Sequence, residues 1–66
     1  MVRKLVVLGK EIELHTELPE EVAKERWLSI VRDADPELAE EIEKVEHEVR
    51  VEGDVLVVYR LGAVFG

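Results

Sequence analysis

The order of hydrophobic and polar residues predicts two strands in each half of the chain. Val2–Leu8 is a short run rich in valine and leucine, which is typical of a strand that is apolar on both faces. Glu11–Thr16 alternates between apolar and polar residues, which is typical of a strand with one face in water. His47–Glu52 alternates in the same way, and Val55–Leu61 is again apolar on both faces. The pattern therefore predicts a pair of strands near each end of the chain.

Two amphipathic helices are predicted between these pairs of strands. Proline fits the first turn of a helix, where its missing N–H costs nothing, so Pro19 opens the first helix. Pro36 opens the second helix, with Asp35 as its N-terminal cap. Apolar residues recur at helical spacing in both segments. The predicted buried faces are Ala23, Trp27, Ile30 and Ala34 in the first helix and Leu38, Ile42 and Val45 in the second.

The strand order follows from which strands carry charge. Strands that are apolar on both faces usually lie in the middle of a sheet, whereas charged, alternating strands lie at its edges. The first and fourth strands are therefore predicted to be central and parallel, with a right-handed crossover through the helices. We expect an α+β fold of the β-grasp type, ββααββ, with a four-stranded mixed sheet in the order 2-1-4-3 and both helices on one face. We expect a single domain over residues 1–66, of which 62–66 form a short C-terminal tail.

Two glycines predict the hairpin turns and, through them, the two faces of the sheet. Gly9-Lys10 and Gly53-Asp54 each suit a two-residue type II′ turn, in which the first central residue needs a positive φ. Directly opposed residues share a face, so the turns assign the strand residues to one side or the other. The side toward the helices is predicted to hold Leu5, Val7, Ile12, Leu14, Val49, Val51, Leu56 and Val58.

The side of the sheet away from the helices, here called the outer face, is predicted to be apolar as well. It holds Val6, Leu8, Val55, Val57 and Tyr59, with Lys4 and Arg50 nearby. An exposed apolar patch of this kind usually marks an interface, and Tyr59 would be a natural anchor in it. Two alternatives stay open: the second helix or the tail covers the patch, or one hairpin register is off by one. The sequence does not say whether the partner is a second copy or a different protein.

Charge and composition narrow the classes of partner. Nine lysines and arginines against sixteen aspartates and glutamates give a net charge of −7, which repels phosphate backbones and anionic membranes. We therefore expect no nucleic-acid and no membrane partner. The chain has no cysteine, so disulfides and thiolate metal sites are excluded. With no signal peptide and no apolar run of about 20 residues, the expected location is cytoplasmic.

Side chains suited to catalysis are few. His15 and His47 are the only histidines, the residue type best suited to acid–base work near neutral pH, and they fall on opposite predicted edge strands, too far apart to share a metal ion. Ser29 is the only serine and has no neighbouring base. No glycine spacing matches a phosphate-binding loop. We expect no catalytic, cofactor-binding or metal residue, and hence no enzyme. Trp27 is expected in the core.

An ordered set of short motifs runs along most of the chain. Its members are Gly9, Leu14, Pro19-Glu20-Glu21-Val22, Pro36-Glu37-Leu38, Glu52-Gly53-Asp54, Tyr59 and a final Gly66. This set resembles the small prokaryotic ubiquitin-like proteins, in particular the family of protein C of the PRTRC system. The resemblance implies a β-grasp fold and a role as a protein tag or recognition module. It also implies that Gly66 is a conjugation terminus, whose carboxylate a partner enzyme would adenylate and pass to a thiol or amine.

A second interpretation rests on how well the local signals agree. Helix openings, strand alternation and both glycine turns all point to the same fold, as in idealised designed proteins. In that case the chain is a structural scaffold, natural or designed, that self-associates through the outer face and has no biochemical activity. A contact of this kind would be apolar and would therefore resist salt.

Overall fold

A computed structural model describes residues 1–61 of the chain. Four strands and two helices follow one another in the predicted ββααββ order. Their bounds are Val2–Val7 (β1), Lys10–Leu18 (β2), Glu20–Ala34 (α1), Pro36–Glu43 (α2), His47–Glu52 (β3) and Val55–Arg60 (β4). The predicted tail, 62–66, lies outside the described residues. Within residues 1–61, no helix is long and apolar enough to cross a membrane.

The strands form one mixed sheet in the order β2-β1-β4-β3, which confirms the predicted β-grasp-like arrangement. β1 and β4 are parallel neighbours in the centre, and each pairs with an antiparallel edge strand. In this order β1 and β4, the two strands with continuous runs of valine and leucine, each have a strand on both sides. The charged, alternating segments take the edges, where their polar residues reach water.

The core lies between one face of the sheet and the two helices. The sheet contributes the buried residues Val2, Leu5, Val7, Leu56 and Val58, and the helices contribute Ala23, Trp27, Val31, Leu38, Ala39 and Ile42. Residues of the edge strands pack around this cluster and are only half-buried: Ile12, Leu14, Leu18, Val49 and Val51. The helix-facing residues predicted from the register therefore all lie on the core side.

Helix α1 is rotated slightly from the predicted face. Val31 is fully buried, Ile30 is half-buried and Ala34 is exposed, so the prediction that Ala34 lies in the buried face is wrong. The centre of the face runs through Ala23, Trp27 and Val31 in steps of four residues, which keeps the same stripe over the sheet. Pro19 is the N-cap residue rather than the first helical residue, and its carbonyl accepts a hydrogen bond from the amide of Ala23 at 2.9 Å.

Asp35 joins the two helices as predicted. Its carboxylate Oδ1 accepts a hydrogen bond from the amide of Leu38 at 3.2 Å, which satisfies one free donor at the start of α2. Its own amide donates to the carbonyl of Val31 at 2.6 Å and so closes α1. Pro36 follows as the first residue of α2. One residue thus ends one helix and starts the next.

The first hairpin turn differs from the prediction. The turn residues are Leu8 and Gly9, since Val7 pairs with Lys10, and their φ angles of 50° and 84° are those of a type I′ turn. Leu5 consequently pairs with Ile12 instead of Leu14. Because this moves the partner by two residues, the faces are preserved. Leu8 itself leaves the strand and packs against the core, so its assignment to the outer face is wrong.

The second hairpin turn is as predicted. Glu52 pairs with Val55 across Gly53-Asp54, and Gly53 has a φ of 63°. The pairs Val49–Val58 and Val51–Leu56 follow from it.

Strand β2 bulges away from β1 near its end. Val2 pairs with Leu18 and Lys4 with Glu13, which leaves Arg3 on β1 opposite residues 14–17 on β2. Such an irregularity bends the longer strand locally. It also lets Val2 and Leu5, three positions apart, both point into the core.

Candidate functional site

The outer face carries a continuous apolar strip along the two central strands. Val6, Val55, Val57 and Tyr59 are half-buried and are not among the residues that pack against the core. Val6 lies directly beside Val57 in the parallel pair of strands. Because residues of alternate positions on one strand share a face, Val55, Val57 and Tyr59 form one row, and Val6 widens it. Both helices pack on the opposite side of the sheet, so neither covers this strip.

Charged residues border the strip on the β3 side. Glu48, Arg50 and Glu52 lie directly opposite Tyr59, Val57 and Val55, respectively. The guanidinium of Arg50 lies 3.4 Å from the carboxylate of Glu52. The cation on this side is therefore already paired with an acid.

The β2 side of the strip has a similar border. Glu11 lies opposite Val6, and Glu13 lies opposite Lys4. The ammonium of Lys4 lies 3.4 Å from the carboxylate of Glu11. Both borders thus contain more glutamate than lysine or arginine, and the outer face has an apolar centre with an acidic rim.

Tyr59 is the aromatic residue of the strip, and its hydroxyl group has a defined partner. The hydroxyl donates a hydrogen bond to Oε1 of Glu48 at 2.7 Å. This hydrogen bond to a carboxylate raises the pKa of Tyr59 above its usual value, and desolvation and the charge of Glu48 add to the effect. The phenol is therefore held in its neutral form, with the ring beside an acidic group.

Beside β2 lies a groove of about 400 Å³ that the sequence did not predict. It separates the bulged part of β2 from the C-terminal half of α1. Its apolar residues are Ile12, Leu14, Leu18, Ile30 and Ala34, and its polar residues are Glu13, His15, Thr16 and Asp33. The available signal was the apolar Leu18, which lies beyond the predicted end of the second strand.

A second hollow, of about 350 Å³, lies on the other side of the bulge and is lined mostly by charged residues. The guanidinium of Arg3 lies 3.2 Å from the carboxylate of Glu17 and 4.0 Å from that of Asp54. Two acids of this hollow, Glu17 and Asp54, therefore already have a cation of the same chain beside them, whereas Glu13, which also lines it, has none among residues 1–61.

The remaining residues singled out in the sequence are dispersed. His15 and His47 lie on the two opposite edge strands, β2 and β3. His47 packs edge-on against Trp27, with ring centroids 5.6 Å apart, and its Nδ1 lies 2.9 Å from the carbonyl of Val45. Ser29 is exposed on α1. In residues 1–61, no three histidine, aspartate or glutamate side chains are placed to hold a metal ion.

Four of the five predicted interface residues, Val6, Val55, Val57 and Tyr59, are thus brought together on the outer face. Leu8 is not part of the group, and Gly66 lies outside the described residues. No family model, curated protein or solved structure matches the chain. The resemblance to the PRTRC protein C family therefore stays a prediction.

Proposed function

We propose that the protein is a small, non-catalytic interaction module whose outer face binds a protein partner with basic groups around an apolar contact. The observation that carries the proposal is the strip of Val6, Val55, Val57 and Tyr59, which neither helix covers. Apolar residues that remain together on a sheet face, here one that no helix of residues 1–61 covers, are typical of a binding surface. Tyrosine adds to this, since it is enriched among the residues that dominate binding energy.

The acidic rim determines the charge expected of the partner. The chain has a net charge of −7, and the outer-face cations Lys4 and Arg50 each already lie beside a glutamate. Lysine or arginine on the partner would meet uncompensated carboxylates and would raise the rate of association. A basic partner is therefore favoured over an acidic one.

The size of the face argues against a stable dimer. Four strands about 4.8 Å apart and six residues at about 3.3 Å each cover roughly 400 Å², whereas a stable interface needs about 800 Å² from each partner. Two copies would also bring together two chains that each carry a charge of −7. A moderate-affinity contact with a different, basic protein fits both observations better than self-association.

The ββααββ order and the strand order support the ubiquitin-like interpretation of the sequence. In that interpretation, partners recognise the outer sheet face, and any chemistry belongs to the partner enzyme. Conjugation through Gly66 is a separate prediction of the resemblance, and the binding proposal does not depend on it.

The proposal is tested by selecting binders without prior choice of the surface. A library of small folded domains with a randomised surface is selected against the wild-type protein, and the isolated binders are titrated against Val57→Lys and Ser29→Lys. Both variants add the same charge, one at the centre of the strip and one on the exposed side of α1. We expect most binders to be basic and to lose at least about tenfold in affinity for Val57→Lys only, a change of about 1.4 kcal/mol.

Two results would contradict the proposal. Binders that are spread over the surface and tolerate Val57→Lys would show that the strip is not a preferred contact. A wild-type dimer in light scattering that becomes a folded monomer in Val57→Lys would instead assign the strip to self-association, as expected of a scaffold.

A further inference from the structure

One side of the β2 backbone pairs with no other strand of residues 1–61. The strand lies at an edge of the sheet and pairs only with β1 among residues 1–61. It is nine residues long, Lys10–Leu18, with regular pairing over Lys10–Glu13 and a bulge over residues 14–17. The N–H and C=O groups on the outer side of an edge strand can pair with another extended chain. β2 thus offers a template for one additional strand.

The apolar groove of about 400 Å³ lies along this edge. Its floor is formed by Ile12, Leu14 and Leu18, and its far wall by Ile30 and Ala34 of α1. Its size is in the range of ligand pockets, which begins at about 300 Å³. A chain added to β2 would place every second side chain on the helix side of the sheet, because side chains alternate along a strand. Those side chains would enter the groove.

Acidic residues lie on both sides of the groove. Glu13 comes from β2, where it lies opposite Lys4 on the outer face, and Asp33 comes from α1; both are exposed. Neither forms an ion pair with another residue of 1–61, whereas the neighbouring Glu11 and Glu17 each lie beside a lysine or an arginine. Two uncompensated acids around an apolar floor favour a ligand with a cation next to an apolar group.

These three features together point to one kind of ligand. We propose that the groove between β2 and α1 binds an extended peptide that adds to the edge of β2, places aliphatic side chains over Leu14 and Ile30, and sets lysine or arginine near Glu13 and Asp33. Strand addition of this kind takes affinity from the backbone and specificity from alternate side chains. A second copy of this chain is disfavoured at the same edge, because it would bring the acids of two β2 strands together.

The probe for this site is a short synthetic peptide in which valine and leucine alternate with threonine between flanking lysines. Its matched control has the same sequence with backbone N-methyl groups on the alternate residues that would donate to β2. This change removes the donors and keeps the side chains. Binding is followed by amide chemical shifts of the isotope-labelled protein. We expect the probe to shift β2 and the C-terminal half of α1, and the N-methylated control to bind at least about tenfold more weakly.

Variants of the protein then separate the groove from the rest of the surface. Ala34→Arg places a long cation in the groove, and Ser29→Arg places the same side chain on α1 outside it; both positions are exposed. Asp33→Asn removes one of the two acids beside the groove, and Glu25→Asn removes an exposed acid of α1 outside the groove. We expect Ala34→Arg and Asp33→Asn to weaken probe binding severalfold, and the two controls to leave it unchanged.

The outcomes also distinguish this site from the outer face. Equal binding of the N-methylated control, or unchanged binding to Ala34→Arg, would overturn the proposed strand addition. Chemical shifts confined to β1 and β4, together with loss of binding to Val57→Lys, would assign the probe to the outer face and would equally overturn the groove proposal. Failure of the groove in these tests leaves the outer-face proposal standing, because the two surfaces share no residue of the apolar strip.

Discussion

The hydroxyl of Tyr59 and the carboxylate of Glu48 form a 2.7 Å hydrogen bond across two neighbouring strands of the outer face. The neutral phenol is the donor, so ionisation of Tyr59 breaks this bond and sets two negative charges side by side. The pKa of Tyr59 is raised for that reason. Because the pKa of Tyr59 is higher in the folded than in the unfolded state, the interaction with Glu48 stabilises the fold below about pH 10. This contribution is lost as the pH rises through the raised pKa.

The first prediction concerns this titration. Tyr59 is the only tyrosine, so its ionisation is read directly from absorbance near 295 nm as the pH is raised. We expect a midpoint above 10 in the wild type and a lower midpoint in Glu48→Gln, because the glutamine carries no charge. Glu25→Gln, on the far side of the molecule, serves as the control and should titrate like the wild type. Equal midpoints in Glu48→Gln and wild type would show that the hydrogen bond does not form in solution.

The second prediction tests the two faces of β4. Leu56 is fully buried, and its neighbour Val57 is half-buried on the outer face. Leu56→Lys buries a charge without a partner and should abolish folding, whereas Val57→Lys should cost about 1 kcal/mol or less. Urea unfolding followed by Trp27 fluorescence measures both. Unfolding of Val57→Lys would mean that Val57 belongs to the core and that no free apolar strip exists.

The third prediction concerns Gly53, the first residue of the β3–β4 turn. Its φ of 63° lies in the left-handed region, and a Cβ atom at this position would meet no other atom within 4 Å, so any cost of substitution comes from the backbone. Gly53→Ala should lower the free energy of unfolding by about 1 kcal/mol. Gly53→Asn should cost less, since asparagine tolerates this conformation better. If urea unfolding shows that Gly53→Ala destabilises the protein no more than Gly53→Asn does, the result contradicts the turn geometry.

The fourth prediction concerns the cap between the helices. Asp35→Ala removes the hydrogen bond to the amide of Leu38 and should lower the free energy of unfolding by about 1 kcal/mol. Asp33→Ala, two residues earlier in the chain, removes an exposed carboxylate that caps no helix. It should lower the free energy of unfolding by a few tenths of a kcal/mol at most. Thermal or urea unfolding compares the two variants. Similar costs would show that the cap contributes no more than an ordinary surface acid.

Much of the architecture was predictable because local chemistry and burial agree along the chain. The apolar runs of β1 and β4 indicated the central strands, and the alternation of β2 and β3 indicated the edges. Gly53-Asp54 set the second hairpin register, and Asp35-Pro36 marked the boundary between the helices. Alternation then placed Val6, Val55 and Val57 on the face away from the core, since a strand has a period of two residues.

The position of the first hairpin turn could not be predicted from its turn residues alone. Gly9 suits either Leu8-Gly9 or Gly9-Lys10 as the turn, and the two registers differ by two residues, so both keep the same faces. Leu8 adopts a φ of 50°, which a side chain normally avoids, and it packs against the core. We infer that packing of this leucine offsets the local backbone cost, and that balance is not visible in the turn residues alone.

The amino-acid sequence alone specified the elements, their order and the side of the sheet on which most residues lie, because these follow from periodicity, capping and burial within each segment. The rotation of α1, the bulge in β2 and the groove between them emerged only when the segments packed together. Val31 rather than Ala34 is buried once α1 packs on the sheet, and Ala34 lies at the groove beside the bulged strand β2. The groove is the space left by that packing, and no single segment contains the information that specifies it.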